Sequence, residues 1–305
     1  MTDKNNNIGI LFPGQGAQYV GMGKSLYEES TVGKEILEKA DQMLGGNFLE
    51  VLFNGPAENL TATDVSQPAI YAVSCAAFNV FKEKFEGTIS AVAGLSLGEY
   101  SALTAVGSLP FAEGIKLVQM RGKLMQEAAE KNPGAMASVL GLEAEKIDTI
   151  CTGIDGAYVA NYNSPGQIVI SGTSDAVAKA SAECSEAGAR RVIPLKVSGA
   201  FHTQLMESAR KGLQPLLEAV NWEEPSCTVL SNVTGMPYNC AAEMPELLGK
   251  QVVGSVRWED NCRWMLFQGI ENYYELGPGK VLQGLMKKIE RAANVISVET
   301  PEEIK

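Results

Sequence analysis

Gly94-Leu95-Ser96-Leu97-Gly98 carries the strongest chemical signal in the chain. It fits G-x-S-x-G and stands between an apolar run, Ile89 to Ala93, and a helix pattern that starts at about Leu97. Glycines on both sides let a strand turn sharply into a helix. The serine oxygen then projects at the C-terminal edge of a sheet, and the next N–H points at a developing oxyanion. The bland alternative is a small-residue turn; the strand-turn-helix setting favours a nucleophile. Such a serine needs a base. The chain has one histidine, His202, in the loop Val197-Ser198-Gly199-Ala200-Phe201-His202. That loop leaves a strand pattern and enters a helix pattern, where sheet-edge sites assemble. His202 is therefore either structural or the base for Ser96. The sequence names no acid to orient it, and a carbonyl group could do that work.

Two further features bear on a site. Pro13 to Gly23 is glycine-rich, but it lacks the third glycine of a dinucleotide fingerprint, since Tyr19 stands there, and it lacks the G-K-[ST] of a phosphate loop. It is a plain turn or a pocket wall whose polar residue, Gln15, serves as an oxyanion donor. Arg121 sits in the middle of a helix pattern. Taken alone it reads as a solvated arginine. The functional alternative is a bidentate clamp on a carboxylate, for which guanidinium geometry is suited.

The elements that must position these residues alternate. Strand patterns at Ile8–Phe12 and Ile89–Ala93 flank helix patterns at about 33–44 and 65–85, and another helix pattern covers 111–130. Asn132-Pro133-Gly134 is a break. After it come a strand (135–140), a helix (143–151), two strands (157–161 and 167–171) around the turn Asn163-Ser164-Pro165-Gly166, a helix (174–187) and a strand (191–195). That β-α-β-β-α-β order is ferredoxin-like. Alternation resumes after Gly199, with helices near 203–220, 243–253, 258–268 and 279–291 and strands near Val229, 272–276 and 295–298. The expected fold class is α/β. A large domain with a mostly parallel sheet, 1–131 and 199–305, is interrupted by a ferredoxin-like small domain at 132–198.

Composition narrows the function. The chain has 305 residues, 25 Lys plus Arg against 36 Asp plus Glu, and a formal charge of −11. Nonspecific nucleic-acid binding is disfavoured, because phosphates would be repelled. No run of eighteen apolar residues occurs, and Ala69 to Phe81 is broken by Ser74 and Asn79, so no membrane span is expected. The first residues lack the apolar stretch of a secretory signal. Six cysteines form no C-x-x-C pair, and with a single histidine neither a metal site nor a cofactor site is indicated. Reduced thiols in the cytoplasm are the expectation.

Taken together, the chain resembles the malonyl-CoA:acyl carrier protein transacylase family. The pieces that carry this are Phe12-Pro13-Gly14-Gln15-Gly16, Ser66-Gln67-Pro68-Ala69, Gly94 through Leu103, Met120-Arg121-Gly122, Asn161 through Gln167, Phe201-His202, Ser231 through Gly235, Gln251 with Trp258, and Glu275 through Lys280. They keep one order along nearly the whole chain. The resemblance implies an α/β-hydrolase-like large domain with a ferredoxin-like insertion. It implies a ping-pong transfer through malonyl-Ser96, from malonyl-CoA to the phosphopantetheine thiol of holo acyl carrier protein in fatty acid biosynthesis. His202 would be the base. The Leu97 N–H and Gln15 would hold the oxyanion, and Arg121 would bind the malonyl carboxylate. Gln251 would orient His202 through its main-chain carbonyl, while Phe201 and Asn163 would contact substrate. Two positions depart from the family pattern. Leu95 replaces the usual histidine before the nucleophile, and Gly254-Ser255 replace an asparagine and a proline.

Rival readings share the same residues. A serine acyl-thioester hydrolase would use Ser96 and His202 equally, an acyltransferase of a polyketide or polyunsaturated-lipid assembly line would differ little, and a docking module would need neither. Carrier proteins are usually acidic, so a local basic docking surface is expected at Arg190, Arg191 and Lys196 and at Lys280, Lys287 and Lys288. The alternative there is scattered solubilising charge.

Overall fold

A computed structural model of the chain describes residues 7–197 and 199–304. Met1, Ser198 and Lys305, at which the expected domain limits fall, lie outside the described residues. Two sheets organise the fold. The larger has five parallel strands in the order β7-β2-β1-β8-β9, where β1 is Asn7–Phe12, β2 Thr88–Gly94, β7 Thr228–Val229, β8 Asn272–Leu276 and β9 Asn294–Val298. The smaller has four antiparallel strands in the order β4-β5-β3-β6, where β3 is Ala135–Leu140, β4 Ala157–Ser164, β5 Gln167–Gly172 and β6 Arg191–Pro194. Numbered within the small sheet alone, this is the ferredoxin-like order 4-1-3-2 read from the β6 edge.

The sequence dictates these elements locally. β1 reads NIGILF with five of its six residues buried, as a central parallel strand covered on both faces requires. Asn132 closes the helix Phe111–Lys131 at φ −126°, ψ 77°, because the following Pro133 disfavours a helical residue before it. The helix Ser174–Glu186 is capped by the Thr173 hydroxyl, which accepts from the Ala176 N–H at 3.3 Å. Helices Thr63–Lys84 and Phe111–Lys131 pack side by side, and the first buries sixteen residues. Three short helices, Lys24–Glu29, Phe48–Asn54 and Ala57–Thr61, were not expected; each is too short for periodicity to show.

A segment just beyond the helix Met244–Val253 pairs with the small sheet. The Tyr162 N–H donates to the Val256 carbonyl at 2.9 Å, and the Val256 N–H to the Ala160 carbonyl at 2.8 Å. The Ser255 hydroxyl adds a bond to the Val159 carbonyl at 2.6 Å, which the proline expected there from the family pattern would not supply. Residues 255–256 follow directly on the helix Met244–Val253, which contains Gln251.

Candidate active site

β2 ends at Gly94, and the helix Gly98–Ala105 begins four residues later, with Ser96 at the turn. The packing explains the glycines. A Cβ on Gly94 would lie 1.9 Å from the Gly98 carbonyl carbon, and one on Gly98 would lie 2.2 Å from the Phe12 oxygen. Ser96 is forced to φ 51°, and His202 to φ 60°. Among the described residues these are the only non-glycine residues in the left-handed region. Such conformations cost of order 1–3 kcal/mol each and persist where the surroundings over-determine them.

The two strained residues face each other. Ser96 Oγ lies 2.9 Å from His202 Nε2, and His202 Nδ1 lies 2.8 Å from the Gln251 carbonyl oxygen. A carbonyl only accepts, so the ring proton is on Nδ1, and the lone pair of Nε2 faces the serine hydroxyl. Burial, reinforced by the neighbouring Arg121 guanidinium, lowers the His202 pKa to about 4. The imidazole is therefore neutral near pH 7 and able to take a proton.

Arg121 is 1% exposed and not the solvated residue that its helix alone suggests. Its Nη1 donates to Gln67 Oε1 at 2.6 Å, and its Nη2 to Ser96 Oγ and Gln251 Oε1 at 3.0 Å each. Tyr100 lies under it, with the guanidinium carbon 5.5 Å from the ring centroid. Nε has no partner, and no carboxylate forms an ion pair with the group among the described residues. Glu99 acts on the guanidinium through space without touching it, and a cation hydrogen-bonded only to neutral amides and a hydroxyl is prepared for an anion.

A cavity of about 300 Å³ opens over this group, lined by Gln15, Ser96, Arg121, Asn163, Phe201 and His202 among others. Asn163 Oδ1 is buried there without a hydrogen-bond partner. Leu95 also lines the cavity, so the neighbour of the nucleophile is apolar. The Leu97 side chain turns into the core, and its N–H forms no bond among the described residues. Gln251 is wholly buried behind the cavity and does not line it; it stands against His202, Ser96 and Arg121. A second cavity of about 410 Å³, lined by Asp148, Tyr162 and Gly254, touches His202 from its other side.

Beneath lies a polar layer for which no motif in the sequence names a role. The Ser96 N–H donates to Asn232 Oδ1 at 2.6 Å, and Asn232 Nδ2 donates to the Gly94 carbonyl and to Asn261 Oδ1. Glu99 is fully buried, and Tyr238, Gln251 and Asn232 donate to its carboxylate. A glutamate in the first turn after an apolar elbow, facing the core, was the one available signal.

A nucleophile elbow on a parallel sheet, a neutral histidine at its oxygen and a buried cation beside both define a serine-dependent acyl-transfer class of protein. The chain belongs to the acyl transferase domain family, whose pattern matches residues 10–256. It is 42% identical over 303 residues to the malonyl CoA-acyl carrier protein transacylase of Bacillus subtilis, covering 98% of this chain and 95% of that one. It is 38% identical to the protein of the same name from Escherichia coli K12, covering 96% of each. Among solved structures, that of the Coxiella burnetii transacylase superimposes with a TM-score of 0.95 at 34% identity, over 98% of this chain and 96% of that one. A type II polyketide malonyl-transacylase bound to its acyl carrier protein gives 0.94 at 37% identity, over 98% and 97%.

Proposed function

We propose that this enzyme transfers a malonyl group from malonyl-CoA to the phosphopantetheine thiol of holo acyl carrier protein, in fatty acid biosynthesis in the cytoplasm. The observation that carries the reading is the Arg121 guanidinium, buried beside Ser96 Oγ with no carboxylate in contact with it among the described residues. It selects an acyl group that ends in a carboxylate. The names of the relatives agree with that choice.

The chemistry follows from the contacts. Ser96 Oγ attacks the thioester carbonyl while its proton passes to His202 Nε2. The oxyanion of the tetrahedral intermediate is held by the Leu97 N–H and by Gln15. On collapse the carbon–sulfur bond breaks, and the proton on His202 goes to the departing CoA sulfur. The pantetheine thiol of the carrier then gives its proton to His202 and attacks malonyl-Ser96, which returns the serine. One oxyanion donor is worth about 3–4 kcal/mol of barrier. Arg121 releases Ser96 Oγ when the malonyl carboxylate arrives, and Phe201 limits the bulk next to the acyl α-carbon. The free Asn163 Oδ1 suits an amide N–H of the pantetheine arm. Residues 132–198, which we read as a domain inserted into the catalytic domain, supply Asn163 and the far wall of the cavity.

Transfer in a polyketide assembly line is the second reading, favoured by the likeness to the polyketide transacylase complex. Its chemistry is identical. Intact-mass measurement after mixing with malonyl-CoA tests the proposal. A malonyl adduct on wild type, absent from Ser96→Ala and moving to holo carrier protein faster than to water, is expected. An adduct lost equally fast to water would establish a hydrolase instead.

A further inference from the structure

Glu99 is fully buried, one turn beyond the nucleophile, and it touches neither Ser96 Oγ nor the cavity. Its Oε1 accepts from the Tyr238 hydroxyl, and its Oε2 accepts from Gln251 Nε2 at 2.6 Å and from the Asn232 N–H at 3.2 Å. The two residues on Oε2 are the two that grip the backbone of Ser96. Gln251 Nε2 donates its other hydrogen to the Ser96 carbonyl at 2.9 Å, and Asn232 Oδ1 accepts from the Ser96 N–H at 2.6 Å. Gln251 also holds His202 through its carbonyl and Arg121 through Oε1. One oxygen atom is thus a common anchor for the nucleophile's peptide unit, the base and the cation.

We propose that Glu99 is a positioning residue for the acyl transfer: through Gln251 and Asn232, its carboxylate fixes the left-handed turn at Ser96 and the tautomer and orientation of His202. Every neighbour presents a donor, so the site asks for an acceptor at Oε2 in one place. A charge at the same spot with the wrong reach would not serve. Burial raises the Glu99 pKa to about 7, against the pull of its three donors and Arg121. The retained acid group is therefore maintained at a cost, which is the mark of a group with a task.

Two substitutions separate reach from charge. In Glu99→Gln the amide oxygen can keep both bonds at the Oε2 position, while the Tyr238 hydroxyl reverses and accepts from the new NH2. In Glu99→Asp the charge stays but the carboxylate retreats by one methylene. The chain has one histidine, so ¹⁵N-histidine labelling gives a single imidazole to observe. The inference rests on the transacylase reading, but this readout needs no substrate. We expect Glu99→Gln to keep the Nδ1–H tautomer and to lie within about tenfold of the wild-type rate of Ser96 malonylation. We expect Glu99→Asp to show mixed tautomers and to acylate at least about a hundredfold more slowly, as small misplacements of reacting groups do. Its KM for malonyl-CoA should stay within about threefold, because Arg121 keeps its cavity face. Wild-type imidazole signals and rates in Glu99→Asp would overturn the proposal. So would a Glu99→Gln enzyme as slow as Glu99→Asp, which would make charge the function. Failure of both variants to fold would assign Glu99 to the fold alone. Absence of malonylation in the wild type would refute the transacylase reading and leave the tautomer result standing.

Discussion

The imidazole of His202 is oriented by the peptide carbonyl of Gln251, at 2.8 Å from Nδ1, where many serine enzymes use a carboxylate. A side-chain change at 251 therefore keeps the orienting atom and loses the anchor that holds it in register. Gln251→Ala should lose the amide's bonds to Ser96, Glu99 and Arg121 and keep a base that is less firmly oriented. Orphaning buried partners costs about 1–3 kcal/mol, so kcat should fall about tenfold to a hundredfold. His202→Ala should lose far more, about two to four orders of magnitude. Steady-state transfer assays compare the two, and equal losses would contradict the carbonyl role.

Arg121 sets acyl selectivity. Truncating one partner of a buried charge contact costs about 2–5 kcal/mol. Arg121→Ala should therefore lose about two to three orders of magnitude in kcat/KM for malonyl-CoA, while acetyl-CoA, which offers no carboxylate, should be used no worse. Competition between the two thioesters, read by intact mass at Ser96, measures the ratio. An unchanged ratio would remove Arg121 from recognition.

Backbone strain at Ser96 can be isolated by comparing two inactive variants. Ser96→Ala and Ser96→Gly both lose the hydroxyl, but only glycine is at ease at φ 51°. The glycine variant should be the more stable by about 1 kcal/mol in urea unfolding. Equal stabilities would mean that the turn is not strained.

Stability should respond to pH through two opposed groups. Burial raises Glu99 from 4.5 to about 7, so between those values the native state holds a proton that the unfolded chain has released. Its contribution declines as pH climbs through that window. Burial and Arg121 lower His202 from 6.5 to about 4, so the unfolded chain holds the extra proton there, and the contribution declines as pH drops. Each displacement is worth about 3 kcal/mol, and the two nearly cancel between pH 4.5 and 6.5. Relative to wild type, Glu99→Gln should gain a rising slope of stability with pH in that range, and His202→Gln a falling one. Urea midpoints across the range measure both slopes; slopes of the same sign would refute the pairing.

The basic residues flanking the cavity should guide the carrier. Arg190, Arg191, Lys196, Lys280, Lys287 and Lys288 are all exposed, and Lys196 lines the cavity itself. Reversing the charge of both clusters should lower kcat/KM for holo carrier protein at least about tenfold at low salt, with the difference shrinking as salt screens it. Malonylation of Ser96 by malonyl-CoA should change less. No effect at low salt would leave these residues as solubilising charge.

Much of this architecture could be read from residue types. Gly94 and Gly98 announce the elbow because no other residue fits against Phe12 and the helix start. Pro133 and Gly166 punctuate the small sheet so sharply that its strand order follows. Arg121 was ambiguous because its burial comes from the neighbouring helix Thr63–Lys84 and from Gln67 on it, which helix periodicity around Arg121 does not contain. Tyr238, Asn232 and Asn261 were opaque for the same reason. Each is an ordinary polar residue, and only the fold gathers them under Ser96.

The bonds from 255–256 to β4 have a consequence for the company this chain keeps. β4 and β6 are the two outer strands of the small sheet, and a bare outer strand is a template on which a foreign chain can add. Val256 takes one position of that template on β4, beside Asn161, and on β6 the exposed Arg191 and the donor-less Pro194 blunt the other side. A chain adding to the small sheet would meet one of these obstacles on either edge.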